Sequence, residues 1–75
     1  MKRIDIRNKD GQRTTTSLSE TAYDAMVFLA TKQGLNRPKD YVYKVMYANP
    51  DTHNLSCSVK DQIILDLLEI VMKEV

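Results

Sequence analysis

The sequence predicts a mainly helical domain led by a short β ribbon, and three observations predict it. Residues 2–7, Lys-Arg-Ile-Asp-Ile-Arg, alternate polar and apolar side chains with the period of a strand. After an Asp10-Gly11 pair, residues 12–18 read Gln-Arg-Thr-Thr-Thr-Ser-Leu, rich in β-branched side chains that favour extended backbone. From Ser19 onward, apolar residues recur at spacings of three and four, the period of a helix. The 75 residues amount to one small domain, of a size that buries only about 60% of the unfolded surface and leaves the monomer marginally stable alone.

Each element follows from its residues. Asp10-Gly11 supplies the positive φ of a tight turn, so residues 1–12 form either a strand folded back on the next one or a basic arm. In the second strand Thr14, Thr16 and Leu18 share one face, and Arg13, Thr15 and Ser17 the other. Ser19 caps a first helix that carries Ala22, Met26, Leu29 and Ala30 and runs to about Gln33, where Gly34 stops it. A second helix begins after Asn36, tolerates Pro38 in its first turn, and sets Tyr41, Val42, Val45 and Met46 on one face before Asn49-Pro50. Ser58-Val59-Lys60-Asp61 has capping-box spacing and opens a third helix reaching Val75. The 17 residues from Val59 span about 25 Å, and ten are apolar, more than one contact face needs. The chain thus divides into residues 1–12, a core at 13–49, and a connector with the third helix at 50–75.

Composition excludes several functions. One cysteine, Cys57, and one histidine, His53, fall short of the three or four ligands of a zinc site, and one cysteine forms no internal disulfide. No paired carboxylates, nucleophile with base, or phosphate loop stands out, so neither an enzyme nor a cofactor is expected. The longest apolar run, Ala25 to Ala30, is six residues, against about 20 for a membrane span, and a cytoplasmic chain is expected. The net charge of +1 is unevenly spread. Residues 1–44 hold nine Lys or Arg against five Asp or Glu, while residues 45–75 hold two against five. The densest part of the basic front half, Lys2, Arg3, Arg7, Lys9 and Arg13, either lies along phosphates or stays solvated, and charge alone favours the solvated reading.

The run Arg13-Thr14-Thr15-Thr16-Ser17-Leu18-Ser19-Glu20, followed by Tyr23, Met26, Leu29 and Ala30 and then Gly34-Leu35-Asn36, resembles the ribbon-helix-helix family of DNA-binding repressors, which includes the Arc, Met and plasmid copy-number repressors. The resemblance covers Arg13 to about Ala48. It implies a homodimer in which one strand from each chain pairs antiparallel and the two-stranded ribbon enters the major groove of double-stranded DNA. By position, the outward Arg13, Thr15 and Ser17 would contact bases. Asn36, Arg37 and Lys39, at the start of the second helix, would hold phosphate. Were residues 1–12 a free arm, Lys2, Arg3, Arg7 and Lys9 would add phosphate contacts.

Three features depart from the family pattern. Only Leu18 is apolar on the inward strand face, and strand Lys2–Arg7 would supply Ile4 and Ile6 if it paired beside the ribbon. Ser17-Leu18-Ser19-Glu20 also has capping-box spacing, which competes with base contact by Ser17. Val27 and Phe28 need a cover that the third helix would provide, either within the chain or between chains. The resulting expectation is a ribbon-helix-helix dimer, or a tetramer, with an N-terminal arm or extra strand and an added C-terminal helix. It would act as a transcriptional repressor or a plasmid or phage accessory factor. The alternative is an antitoxin-like or adaptor dimer that engages a protein partner through the apolar third helix.

Overall fold

The computed structural model describes residues 1–8, 10–51 and 53–73. Lys9 of the expected arm and the last two residues of the expected third helix, Glu74 and Val75, lie outside the described residues. Two strands, β1 (Lys2–Arg7) and β2 (Arg13–Leu18), precede three helices, α1 (Glu20–Lys32), α2 (Pro38–Ala48) and α3 (Leu55–Lys73). The strands form one antiparallel two-stranded sheet in which Lys2 faces Leu18, Ile4 faces Thr16 and Arg7 faces Arg13. Of the two readings of this segment, Lys2–Arg7 therefore forms the extra strand. The turn is held by Asn8, whose side-chain oxygen accepts from the amides of Asp10 at 3.0 Å and Gln12 at 2.9 Å. Gly11 adopts φ +80°, the conformation anticipated for the Asp-Gly pair.

Alternation splits the hairpin into two faces. Ile4, Ile6, Thr16 and Leu18 are buried and Thr14 is half-buried, whereas Arg3, Asp5, Arg7, Arg13 and Thr15 are exposed. β1 thus adds the two isoleucines that the threonine-rich face of β2 lacks. The buried face joins Met26, Leu29 and Ala30 of α1, Tyr41, Val42 and Val45 of α2, and Val59 and Ile63 of α3 in a single core. Phe28 stays outside it, 48% exposed with the Lys32 ammonium 6.0 Å from its ring centre, so α3 does not cover Phe28 as expected.

Helix ends show why the chain breaks where it does. The Ser19 hydroxyl accepts from the Ala22 amide at 3.1 Å, which leaves Ser17 within β2 rather than in a cap. At the other end of α1 the Gly34 amide donates to the Thr31 carbonyl and the Leu35 amide to the Ala30 carbonyl, with Gly34 at φ +75°. These two bonds make a Schellman stop. Two expected caps are displaced. Arg37, not Asn36, occupies the N-cap of α2, with Pro38 as the first helical residue and the Asp40 carboxylate accepting from the Arg37 amide at 3.2 Å. α3 starts three residues before Ser58, because the Asn54 side chain accepts from the Cys57 amide at 3.1 Å and so caps the helix at Leu55.

Asp66 ties the three helices together. Its carboxylate accepts from Tyr41 of α2, from Gln33 after α1 at 3.1 Å and from Gln62 at 2.8 Å, while Lys44 donates to Gln33 at 2.7 Å. Burial works against the charge on Asp66, but the hydrogen bonds from Tyr41, Gln62 and Gln33, with Lys44 nearby, hold its carboxyl below the usual carboxylate range. Burial and the same carboxylate push the Tyr41 hydroxyl well above the ordinary phenol range.

Two stability predictions follow from these contacts. Thr16 is fully buried and its hydroxyl has no hydrogen-bond partner among the described residues, so Thr16→Val should stabilise the fold by about 1 kcal/mol in urea titration. Asp66 has a folded pKa below its unfolded value. Its contribution is fully present above pH of about 4 and disappears as pH falls through the lower folded value. Asp66→Ala should destabilise by about 2 kcal/mol at neutral pH and flatten the acid limb of the stability curve, as chemical denaturation across pH would measure.

Candidate nucleic-acid interface

The exposed hairpin face is built from three cross-strand pairs, Arg3 with Ser17, Asp5 with Thr15, and Arg7 with Arg13. The Asn8 amide donates to the Gln12 carbonyl at 2.9 Å, whereas the Arg7 and Ser17 amides point outward, to the Tyr43 hydroxyl at 3.1 Å and the Ser56 hydroxyl at 3.2 Å. The exposed pairs are thus the non-hydrogen-bonded type, whose side chains lie closest together. The Thr15 hydroxyl donates to Asp5 at 2.9 Å, which neutralises none of the charge but fixes the carboxylate. Arg7 and Arg13 are like charges set directly opposite, an arrangement that costs stability without an anion between them. The Arg7 guanidinium also donates to the Gly11 carbonyl at 3.0 Å, holding it along the strand.

At the other end of β1 the hairpin meets the start of α2. Lys2 and Arg3 of β1 and Arg37 and Lys39 of α2 line one open depression of about 440 Å³, where Asp5 is the only acidic residue among the lining. The Lys2 ammonium lies 5.5 Å from the centre of the Tyr23 ring, which steadies a long side chain without using its charge. Arg37 is the partly committed member. Its guanidinium pairs with Asp40 at 2.9 Å, which raises the Arg37 pKa and holds the Asp40 carboxyl below its usual range. Pro38 contributes no amide at the first position of the helix. Lys39 carries the less compromised charge there.

The expected site residues separate accordingly. Arg13 and Thr15 lie on the exposed face, joined by Arg3 and Arg7 of β1; Ser17 is half-buried on the same face with its amide taken by Ser56. Arg37 and Lys39 meet Lys2 and Arg3, while Asn36 is exposed in the turn before the α2 cap. Asp5 and Asp40, the acids interleaved with these cations, were not anticipated; their roles depend on strand register and on the true α2 cap. Comparison of the chain with protein-family models, curated proteins and solved structures finds no match.

A larger hollow of about 660 Å³ opens between the outer edge of β2 and the connection from α2 to α3, lined by Thr14, Thr15, Tyr47, His53 and Ser56 among others. Among the described residues it has no lysine or arginine, and Asp10 is its only acid, so it does not extend the basic surface. The single cysteine, Cys57, is exposed, and no cluster of three metal-ligating side chains occurs among the described residues. No described helix is long and apolar enough to cross a membrane.

Proposed function

We propose that the chain binds double-stranded DNA, with the exposed face of its hairpin in the major groove and the start of α2 against the flanking backbone. One observation carries this reading: Lys2, Arg3, Arg37 and Lys39 converge at one end of a ribbon whose outer face also presents Arg7 opposite Arg13. Six cations on two adjoining surfaces form the electrostatic footprint of a polyanion partner. A two-stranded ribbon fits a major groove about 12 Å wide, and an arginine there can donate two bonds to one guanine.

The reading keeps the contacts that the ribbon-helix-helix resemblance implies but takes the ribbon from one chain. In that family the second strand comes from a partner; here the hydrogen-bonded neighbour of β2 is β1 of the same chain. Arg13 and Thr15 then read bases beside Arg3 and Arg7, and Ser17, half-buried, contributes least. Lys2, Lys39 and the free edge of Arg37 position the backbone without specifying sequence. Regulation of transcription, as a repressor or a plasmid or phage accessory factor, is the role such binding would serve.

Binding to a random-sequence duplex, followed by fluorescence anisotropy across a salt series, tests the reading. If Lys2, Arg37 and Lys39 each neutralise a phosphate, the logarithm of affinity falls against the logarithm of salt with a slope of about −3 per chain. Lys39→Ala should weaken binding to every sequence and reduce that slope by about 1. Arg13→Ala should cost about 1 to 3 kcal/mol on duplexes selected from a random pool and much less on the unselected pool. Equal losses on both pools would remove Arg13 from base recognition, and no binding at low salt would refute the proposal.

A further inference from the structure

After α3 has packed Val59 and Ile63 fully and Leu67 and Ile70 partly into the core, five large apolar residues remain on its opposite side. Ile64, Leu65, Leu68, Val71 and Met72 are 52 to 75% exposed. Their spacing places them on one stripe, with Asp61 at its N-terminal end and the ion-paired Glu69 and Lys73 along its edge. At roughly 200 Å² for a fully exposed residue of this size, they leave about 600 Å² of largely apolar surface per chain, the upper end of what monomers tolerate. Two such stripes face to face would bury about 1,200 Å², the lower bound of a stable interface.

The stripe is also symmetric along the helix. Counted outward from Leu68, Val71 lies three residues one way and Leu65 three the other, while Met72 and Ile64 lie four away on either side. We infer that α3 docks a second copy of this chain, antiparallel, on a two-fold axis through Leu68. Ile64 then meets Met72 of the other copy, Leu65 meets Val71, and Leu68 meets its own equivalent. Parallel pairing would instead set the exposed Asp61 of each copy side by side on the same face and align the helix dipoles. In the antiparallel arrangement the two Asp61 positions are about 21 Å apart along the axis.

The docking surface starts eight residues beyond Ser56, where β2 is held, about 12 Å further along α3. Self-association therefore leaves both hairpins uncovered. It also separates the two Ser56 positions by about 36 Å along the paired helices, close to one turn of B-form DNA. That last correspondence rests on the DNA-binding reading; the dimer itself does not.

Sedimentation equilibrium from low micromolar to millimolar concentration, without DNA, tests the dimer separately. We expect a reversible monomer–dimer equilibrium that Leu68→Glu weakens by at least about 100-fold, because it places two carboxylates on the axis. Leu68 is half exposed, so far-UV circular dichroism of this variant should match the parent. A second arm reports orientation without an added charge. In a Cys57→Ser background, chains bearing Ile64→Cys are mixed with chains bearing Met72→Cys and oxidised, and the mixed disulfide dimer should dominate. A monomer at all concentrations, a dimer indifferent to Leu68→Glu in a folded variant, or disulfides only between identical variants would each overturn the inference.

Discussion

Pairing of β1 with β2 inside one chain is the constraint on which the rest of the structure depends. Threonines dominate the inward face of β2, and a strand with Thr14, Thr16 and Leu18 on that face brings little apolar surface to a core. By folding back through Gly11, β1 lays Ile4 opposite Thr16 and Ile6 opposite Thr14, so each threonine is packed beside an isoleucine. The same register determines the outer face. Because side chains alternate, burying the isoleucines necessarily exposes Arg3, Asp5 and Arg7 next to Ser17, Thr15 and Arg13. A slip of one residue would bury three charges, which makes the exposed basic face a consequence of the core rather than a separate feature.

Charge and apolar surface then sort along the molecule. The first helix connects the hairpin to α2 so that the cap of α2 returns beside β1, joining Arg37 and Lys39 to Lys2 and Arg3. Asp66 locks α2 and α3 together with the end of α1 through Tyr41 and Gln33, and α3 continues past this junction with its apolar stripe uncovered. Such a division gives the chain two surfaces that do not compete, a basic one built mainly from the first 39 residues and an apolar one from residues 64–72. The acidic balance of the C-terminal part of the sequence agrees with that separation, since it keeps α3 away from a polyanion.

Local signals were the most legible in the sequence. Strand alternation, the Gly11 turn, the Ser19 cap, the Gly34 stop and the Tyr41-Val42-Val45 face each depend on a few neighbouring residues, and each is present in the fold. The α3 start was obscured because Ser58 and Asp61 have capping spacing, yet Asn54 is an equally good cap placed earlier, and a helix gains four more residues by using it. Arg37 is a poor cap by residue type; Pro38 and the reach of Asp40 back to the Arg37 amide fix it there. Long-range features had no sequence signal at all. Neither the Tyr41–Asp66 contact, 25 residues apart, nor the meeting of Lys2 with Lys39 can be read from spacing. The strand choice between arm and hairpin was open for the same reason, because the partner of an edge is a tertiary decision.

The proposed DNA-binding surface is the hairpin face together with the α2 start. Titration of isotope-labelled protein with a short random-sequence duplex, followed by backbone amide chemical shifts, tests it most directly. Changes concentrated at residues 2–7, 13–17 and 36–39, with α3 amides beyond Ile64 unmoved, are the predicted result. Changes confined to α3, or none at low salt, would contradict it.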